Sequence, residues 1–279
     1  MDLHIIETGK FKLDGGAMFG VVPKKIWHKL HPADSNNLCT WSMRCLLIEE
    51  GDRLILIDAG LGDKQSEKFF SHYEPHGEDS LENSLKAKGF GWDDITDVIL
   101  THLHFDHCGG AVYRDSDGTL RPRFPKATYW SNKDHWAWAM EPNGRERASF
   151  LKENFVPIEE SGQLKFLNAG DSIIEGVSVQ LAQGHTESQI IPHIFYKGNN
   201  IVFCADLLPS VHHIPLPYVM AYDVRPLMTL EEKGAFLKEA YDKNWIMFFE
   251  HDPSNQCGSL DINERGRVIS KECFPLSAL

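Results

Sequence analysis

Residues 102–107 read His-Leu-His-Phe-Asp-His and follow a short, apolar, β-branched run. Three imidazoles and a carboxylate on so short a segment are costly to bury unless they are paired or bind a metal. An extended backbone directs residues i and i+2 to one face, so His102 and His104 can bind the same ion. Asp106 and His107 lie where the chain turns toward a Gly-Gly pair and can point at a second ion. The segment therefore predicts a two-metal hydrolytic site.

Three further candidate ligands follow later in the chain. His185, Asp206 and His251 each come after an apolar, strand-like run. Each therefore repeats the setting of the first motif, in which a strand ends on a metal-ligating side chain. We expect the ends of several strands to deliver ligands to one place.

The order His-x-His-x-Asp-His, then His, Asp and His, resembles the metallo-β-lactamase superfamily, specifically its binuclear hydrolases, over roughly residues 43–252. Asp58-Ala-Gly also resembles that family's Asp-x-Gly strand end, which implies that Asp58 supports the metal loop. The resemblance implies an α+β fold, an αββα sandwich of two mixed sheets covered by helices. We expect one such domain over residues 1–279.

The resemblance also implies a ligand set. The first metal would be held by His102, His104 and His185, the second by Asp106, His107 and His251, with Asp206 and a hydroxide bridging them. All-N/O ligation favours Zn²⁺, with Fe, Mn or Co left open. Because bound metal lowers the pKa of water to about 7, the bridging hydroxide is the expected nucleophile. Asp106 is the expected proton shuttle.

Composition narrows the class of protein. A chain of 279 residues with 42% hydrophobic and 24% charged residues has the make-up of a globular domain with a substantial core. The net charge of −12 argues against a nucleic-acid partner.

We find no apolar run of about 20 residues and no signal-like N-terminus, so we expect a cytoplasmic protein without a membrane partner. Six cysteines without a C-x-x-C pair suit a reducing compartment, and Cys45 and Cys204 are expected to be buried. A homodimer is left open.

Within the superfamily the sequence resembles the quorum-quenching N-acyl homoserine lactone lactonases, especially in the loop Ala205–Asp223. The resemblance implies hydrolysis of a lactone ring, a carboxylic ester. One departure concerns the tyrosine that well-studied lactonases carry three residues after the bridging aspartate, because Pro209 stands there. Tyr218 and Tyr222 are the candidates to replace it. The departure leaves open an organophosphate (methyl parathion hydrolase-like) phosphotriesterase or a glyoxalase II-like thioester hydrolase. No ligand is lost, so a non-catalytic metal-binding protein is disfavoured.

The remaining expectations concern weaker substrate contacts and local structure. Met18 and Phe19, in a Gly-rich turn, are expected to form a mobile apolar lip, and His213 to face the substrate. His193 is expected to be a core or cross-strand histidine. Hydrophobic runs predict strands at His4–Thr8, Arg44–Ile48, Leu54–Ile57, Val98–Leu100, Thr128–Trp130 and Ile246–Phe249, and a hairpin in the tail. Helices are predicted at Leu81–Lys88, Lys133–Met140 and Arg145–Phe155, and from the capping box at Thr229 to about Lys243.

Overall fold

Two mixed β-sheets organise the chain in a computed structural model that describes residues 1–279. The strands are β1 (Asp2–Asp14), β2 (Leu38–Glu50), β3 (Arg53–Ile57), β4 (Asp97–Ile99), β5 (Val112–Arg114), β6 (Leu120–Pro122), β7 (Thr128–Ser131), β8 (Leu164–Phe166), β9 (Ser172–Ile174), β10 (Val177–Ala182), β11 (Gln189–Tyr196), β12 (Asn199–Phe203), β13 (Ile246–Phe248), β14 (Cys257–Ile262) and β15 (Val268–Phe274). The helices are α1 (Gly15–Phe19), α2 (Lys24–Trp27), α3 (Glu67–Tyr73), α4 (Leu81–Ala87), α5 (Phe105–Cys108), α6 (Lys133–Met140), α7 (Val156–Glu160) and α8 (Pro226–Asp242).

The first sheet has six strands in the order β1-β2-β3-β4-β7-β8. Strands β2 and β3 form an antiparallel hairpin, whereas β3, β4, β7 and β8 run parallel to one another. Parallel strands are usually buried on both faces, and the short β4 is buried at every residue. This strand lies in the interior of the sheet and leads directly into the segment 102–107. A separate two-stranded sheet joins β5 and β6.

The second sheet has seven strands in the order β15-β14-β13-β12-β11-β10-β9. Its strands are antiparallel except for the parallel pair β12 and β13, where Phe203 lies opposite Phe248. These two buried rings stack at 5.2 Å between centroids. The tail forms the expected hairpin of β14 and β15, and His193 bonds across strands to Gln180 and Asn200.

Contacts divide the chain into two compact units, residues 1–11 with 42–168, and residues 12–41 with 169–279. The core of the first unit includes Leu56, Val98, Phe124 and Tyr129, which are all fully buried. The expectation of one domain over the whole chain stays a prediction. Cys45 and Cys204 are both fully buried, as expected. No helix is long and apolar enough to cross a bilayer.

Two predicted helices differ from the structure. The helix expected at Arg145–Phe155 is wrong, because only Lys152–Asn154 forms a 3₁₀ turn there. The side chain of Asn143 instead accepts hydrogen bonds from the backbone N–H groups of residues 145 and 146, as turn-forming asparagines do. Helix α8 begins at Pro226 rather than at Thr229. Proline fits the first helical position, where its missing N–H has no helical partner in any case.

Candidate active site

The segment after β4 carries four of the predicted ligands in the first unit. His102 and His107 are fully buried, while His104 and Asp106 are each 7% exposed. The ring centroids of His102 and His104 are 4.5 Å apart, and those of His102 and His107 are 3.9 Å apart. The chain thus clusters three imidazoles on one short turn, continuing into α5. Such close packing of buried rings is typical of metal ligands rather than of surface histidines.

Asp58 fixes this segment from the neighbouring strand end. It follows β3 in a left-handed conformation, with φ of 59°. Its carboxylate accepts hydrogen bonds from the backbone N–H (2.8 Å) and hydroxyl (2.6 Å) of Thr101, and Nδ1 of His107 lies 3.1 Å from its second oxygen. A carboxylate on one ring nitrogen orients the imidazole and fixes its tautomer. The other nitrogen, Nε2 of His107, lies 3.7 Å from Asp106.

Glycines allow the Asp58 strand end to approach the metal segment closely. A Cβ on Gly109 would lie 2.0 Å from the carbonyl oxygen of Leu61, and a Cβ on Gly110 would lie 2.1 Å from that of Ala59. The backbone N–H of Ala59 also donates to the carbonyl of His107 at 2.8 Å. Only a residue without a side chain fits this backbone-to-backbone contact.

Two polar residues near the motif were not anticipated from the sequence. Glu146 lies 3.4 Å from Nε2 of His104 and is held by Trp138 (2.7 Å) and Asn143. Nε2 of His135, in α6, accepts the backbone N–H of Leu103 at 2.8 Å. Glu146 and His135 are buried, and no local motif marks either of them, because both reach the metal segment only through the tertiary fold.

In the second unit, one carboxylate lies between two imidazoles. The two oxygens of Asp206 are each 3.1 Å from Nε2 of a histidine, one from His185 and the other from His251. All three side chains are nearly inaccessible to solvent. Asp206 follows β12 after Ala205, whose φ of 43° is unusual for a residue with a side chain. The three ligands predicted from this half of the chain therefore come together, at the ends of different strands.

Asp223 holds His185 from the opposite side. Its carboxylate lies 2.8 Å from Nδ1 of His185. Burial alone lowers the pKa of His185, but the carboxylates of Asp206 and Asp223 together outweigh it and raise that pKa to about 10. Their combined field places a strong preference for positive charge at this ring. Asp223 was not predicted as a partner of His185, because the two residues lie 38 positions apart in the chain.

Glu232 of α8 anchors the turn that carries His185. Its carboxylate accepts the backbone N–H groups of Gln183 and Gly184 at 2.8–3.0 Å. A Cβ on Gly184 would lie 2.4 Å from the backbone nitrogen of Thr229. The turn is thus built against the first turns of α8. Pro209 contributes as well, since its carbonyl accepts the backbone N–H of His251 at 3.1 Å.

These donor sets fit divalent metal ions. The chain offers groups of buried histidine and aspartate side chains that could hold an ion. The donors are imidazole nitrogens and carboxylate oxygens, which suit zinc and several other first-row metals. Because carboxylates hold Nδ1 of His107 and His185, the nitrogen of each ring that could hold a metal ion would be Nε2. A buried carboxylate such as that of Asp206 is costly unless it is paired with a cationic group or binds a metal ion.

The residues expected to contact substrate occupy a different kind of environment. Phe19 is fully buried and stacks between Trp27 (5.3 Å) and His213 (4.9 Å). Met18 is also buried, and its carbonyl lies 2.9 Å from Nε2 of His213. The expected mobile lip is therefore wrong for Met18 and Phe19, because both belong to a packed aromatic cluster.

His213, Tyr218 and Tyr222 differ in exposure. Burial lowers the pKa of His213 to about 3, so this ring is a neutral part of the cluster. Tyr218 is half-buried and meets Phe19 edge-on at 6.3 Å, whereas Tyr222 is 38% exposed. Substrate contacts by these residues stay predictions.

The protein has an α+β fold in which buried histidine and aspartate side chains cluster at strand ends. This combination is typical of the metal-dependent hydrolases. Residues 44–251 match the sequence model of the metallo-β-lactamase superfamily. The chain belongs to this superfamily and has its fold, of the α+β class, as the sequence resemblance implied.

Individual relatives agree with this assignment. The chain is 26% identical over 194 residues to an N-acyl homoserine lactonase of Bacillus thuringiensis, and the match covers 66% of each protein, slightly less than two thirds of the lactonase. A solved structure of a probable metal-dependent hydrolase from Staphylococcus aureus is 28% identical, with 98% of each chain covered and a TM-score of 0.86. The structure of AidC, a dizinc quorum-quenching lactonase with the product N-hexanoyl-L-homoserine, superposes with a TM-score of 0.79 over 98% of this chain and 95% of AidC. At 23% identity, this last likeness shows the fold alone.

Proposed function

We propose that this metallo-hydrolase opens the lactone ring of N-acyl homoserine lactones with the help of two divalent metal ions. The observation that carries the proposal is the carboxylate of Asp206, whose two oxygens face Nε2 of His185 and His251 at 3.1 Å each. One aspartate facing two ligand nitrogens is the arrangement expected of a carboxylate shared between two ions. The lactonase relative from Bacillus thuringiensis supports the choice of substrate.

The proposed ligand set follows the family resemblance. One ion, preferably zinc, would be held by His102, His104 and His185, the other by Asp106, His107 and His251, with Asp206 shared. When bound, such ions polarise an ester carbonyl and lower the pKa of water to about 7. The chain itself contributes the orientation of the rings. Asp58 holds Nδ1 of His107, and Asp223 holds Nδ1 of His185.

Asp106 is the residue proposed to move a proton during ring opening. Its carboxylate lies in the metal segment, 3.7 Å from Nε2 of His107, and is nearly inaccessible to bulk water. A carboxylate in this position can take a proton from the attacking water and deliver it to the departing ring oxygen. No serine or cysteine nucleophile is needed. The thiol nearest in sequence, Cys108, is fully buried and donates to the carbonyl of Leu103.

The substrate side of the site is where this chain departs from the lactonases it resembles. Pro209 uses its carbonyl to hold the backbone of His251 and has no hydroxyl to offer a substrate. Tyr222, which is 38% exposed, and the half-buried Tyr218 are proposed to supply the missing hydroxyl. Both lie on the chain segment between Asp206 and α8.

A hydrolysis panel on metal-loaded protein tests this proposal. We expect kcat/KM for N-acyl homoserine lactones to exceed that for acyl thioesters and aryl phosphotriesters. Longer acyl chains should bind more tightly until the pocket is filled, by up to about 0.8 kcal/mol for each buried CH₂.

Two outcomes would contradict the lactonase assignment. One is phosphotriester cleavage faster than lactone opening by about tenfold or more, or about 1.4 kcal/mol of transition-state preference. The other is faster thioester cleavage by the same margin. Either result would leave the metal site intact and change only the substrate.

A further inference from the structure

The segment 15–33 has a charge unlike that of the rest of the chain. It contains Lys24, Lys25 and Lys29 and no acidic residue, although 40 of the 279 residues are Asp or Glu. Removing these three positive charges from the net charge of −12 leaves −15 for the remainder. All three lysines are exposed. The segment is thus a local basic site on an acidic protein.

The same segment also exposes large apolar side chains. Val21 is 89% exposed, more than any other large hydrophobic residue of the chain, and Ile26 and Leu30 are 50% and 42% exposed. Hydrophobic residues scattered singly on a surface need no explanation, whereas an exposed apolar patch rimmed by polar residues is typical of an interaction site. We refer to Val21, Ile26 and Leu30 with the three lysines as the basic apolar face.

Helical geometry orders this face. Backbone hydrogen bonds join His28 to Lys24 and His31 to Trp27, so the turn of α2 continues beyond Trp27. Residues four apart on a helix share a face. Trp27 and His31 accordingly lie inward and are buried, Ile26 and Leu30 form an apolar strip, and Lys25 and Lys29 form a basic strip beside it.

Ring stacking and backbone contacts fix the segment that carries the basic apolar face. Trp27 stacks on the buried Phe19 with 11° between the ring planes, and His31 stacks on Trp41 at 4.0 Å. Backbone contacts then fix the preceding turn. The carbonyl of Ala17 accepts the N–H of Ala221, and Gly20 passes so near Val219 that a Cβ there would meet its carbonyl at 2.2 Å. The backbone that carries the exposed side chains is therefore packed against the rest of its unit.

We propose that the basic apolar face docks the protein on an anionic lipid surface. Lysines are attracted to negatively charged headgroups, and short apolar side chains beside them insert at the boundary of the acyl chains. Charge complementarity favours this partner over a second copy of the chain. A symmetric dimer through this face would pair it with itself and place lysines against lysines. The proposal does not depend on the identity of the substrate. For peripheral contact it differs from the expectation of no membrane partner, which rested on the absence of a long apolar run and of a signal-like N-terminus.

Vesicle sedimentation with the metal-loaded full chain tests the proposal. We expect binding to vesicles rich in phosphatidylglycerol, weak binding to pure phosphatidylcholine, and loss of binding in high salt. The double variant Val21→Ser, Ile26→Ser should bind at least about tenfold more weakly, and Lys25→Gln, Lys29→Gln should do the same. Phe195→Ser is the matched control, because Phe195 is a 61% exposed apolar residue on β11. It should bind like the wild type, and thermal melting should show that all variants are folded.

Three results would overturn the proposal. The first is equal binding of the wild type to both kinds of vesicle, or none to either. The second is unchanged binding in both double variants. The third is a dimer in light scattering that Val21→Ser, Ile26→Ser dissociates, with no vesicle binding, since a second copy would then cover the face.

Discussion

Several candidate metal ligands in this protein lie within hydrogen-bonding distance of a buried carboxylate. Asp58 and Asp223 each bind Nδ1 of one histidine, and Glu146 lies 3.4 Å from Nε2 of another, His104. The seven candidate ligands follow the order of a family motif, so they could be proposed from the sequence. Of their supports, only Asp58 was predictable, since it lies in a short motif. Asp223 and Glu146 were not, because distant parts of the chain bring them to the ligands.

Asp223→Asn tests the support of His185. The amide keeps the shape of the side chain but removes the negative charge that orients the His185 ring and makes it a stronger metal ligand. The affinity for metal should therefore fall by about 10- to 100-fold. Competition with a chromophoric chelator measures the affinity. Asp242→Asn, at an exposed residue paired with Lys238, is the control and should leave affinity unchanged. Equal affinity in wild type and Asp223→Asn would show that this carboxylate does not support the site.

Asp106→Asn tests the proposed proton carrier. The variant retains one oxygen donor but cannot accept a proton, so turnover should fall by about 10²- to 10⁴-fold, with a smaller change in KM. Steady-state kinetics at saturating metal, with metal content measured in the same sample, separates proton transfer from metal loss. Near-wild-type turnover in the fully loaded variant would exclude Asp106 from this role.

At the scale of elements, helix starts and turns were harder to predict than strands. The buried runs that form β3, β4 and β13 are continuous in the sequence, so their existence follows from hydrophobicity alone. The start of α8 depends instead on what lies beside it. Thr229 begins a capping-box pattern, yet it lies inside the helix and its backbone packs against Gly184. Glu232, the other end of that pattern, caps the His185 turn rather than its own helix.

Gly184→Ala tests the contact between the His185 turn and α8. Its Cβ would lie 2.4 Å from the backbone nitrogen of Thr229, so the turn or the helix must move. We expect a loss of about 1–3 kcal/mol in the free energy of unfolding, measured by urea denaturation. Gly144→Ala is the matched control, because nothing lies within 4 Å of its Cβ position. Equal stability of the two variants would contradict the close contact.

His193 on β11 should make stability depend on pH. Burial, the largest influence, lowers its pKa from 6.5 to about 4. Between these two pH values the unfolded chain binds more protons at His193 than the folded chain does. The free energy of unfolding that His193 contributes is therefore fully present above about pH 6.5 and is lost as the pH falls toward 4. In metal-free protein, the unfolding free energy of His193→Gln should therefore fall less than that of wild type between neutral pH and pH 5. Parallel losses in both proteins would contradict the assignment.

For the whole molecule, the central claim is that the chain is a two-metal hydrolase, with candidate ligands contributed by each unit. Each unit by itself gathers part of the ligand set, with His102, His104 and His107 clustered in one and Asp206 between two imidazoles in the other. The superfamily match from residue 44 to residue 251 spans both. The fold class was predictable from the motif order, whereas the substrate was not, because no motif marks the side chains that contact it.

Metal stoichiometry tests this claim most directly. Elemental analysis of purified protein, loaded with Zn²⁺ and freed of excess ion, should give about two ions per chain. Asp206→Asn should reduce the content at both sites, because it removes the charge that both imidazoles face, while Asp242→Asn should retain two. At most one ion in the wild type, or two ions undiminished in Asp206→Asn, would contradict the account.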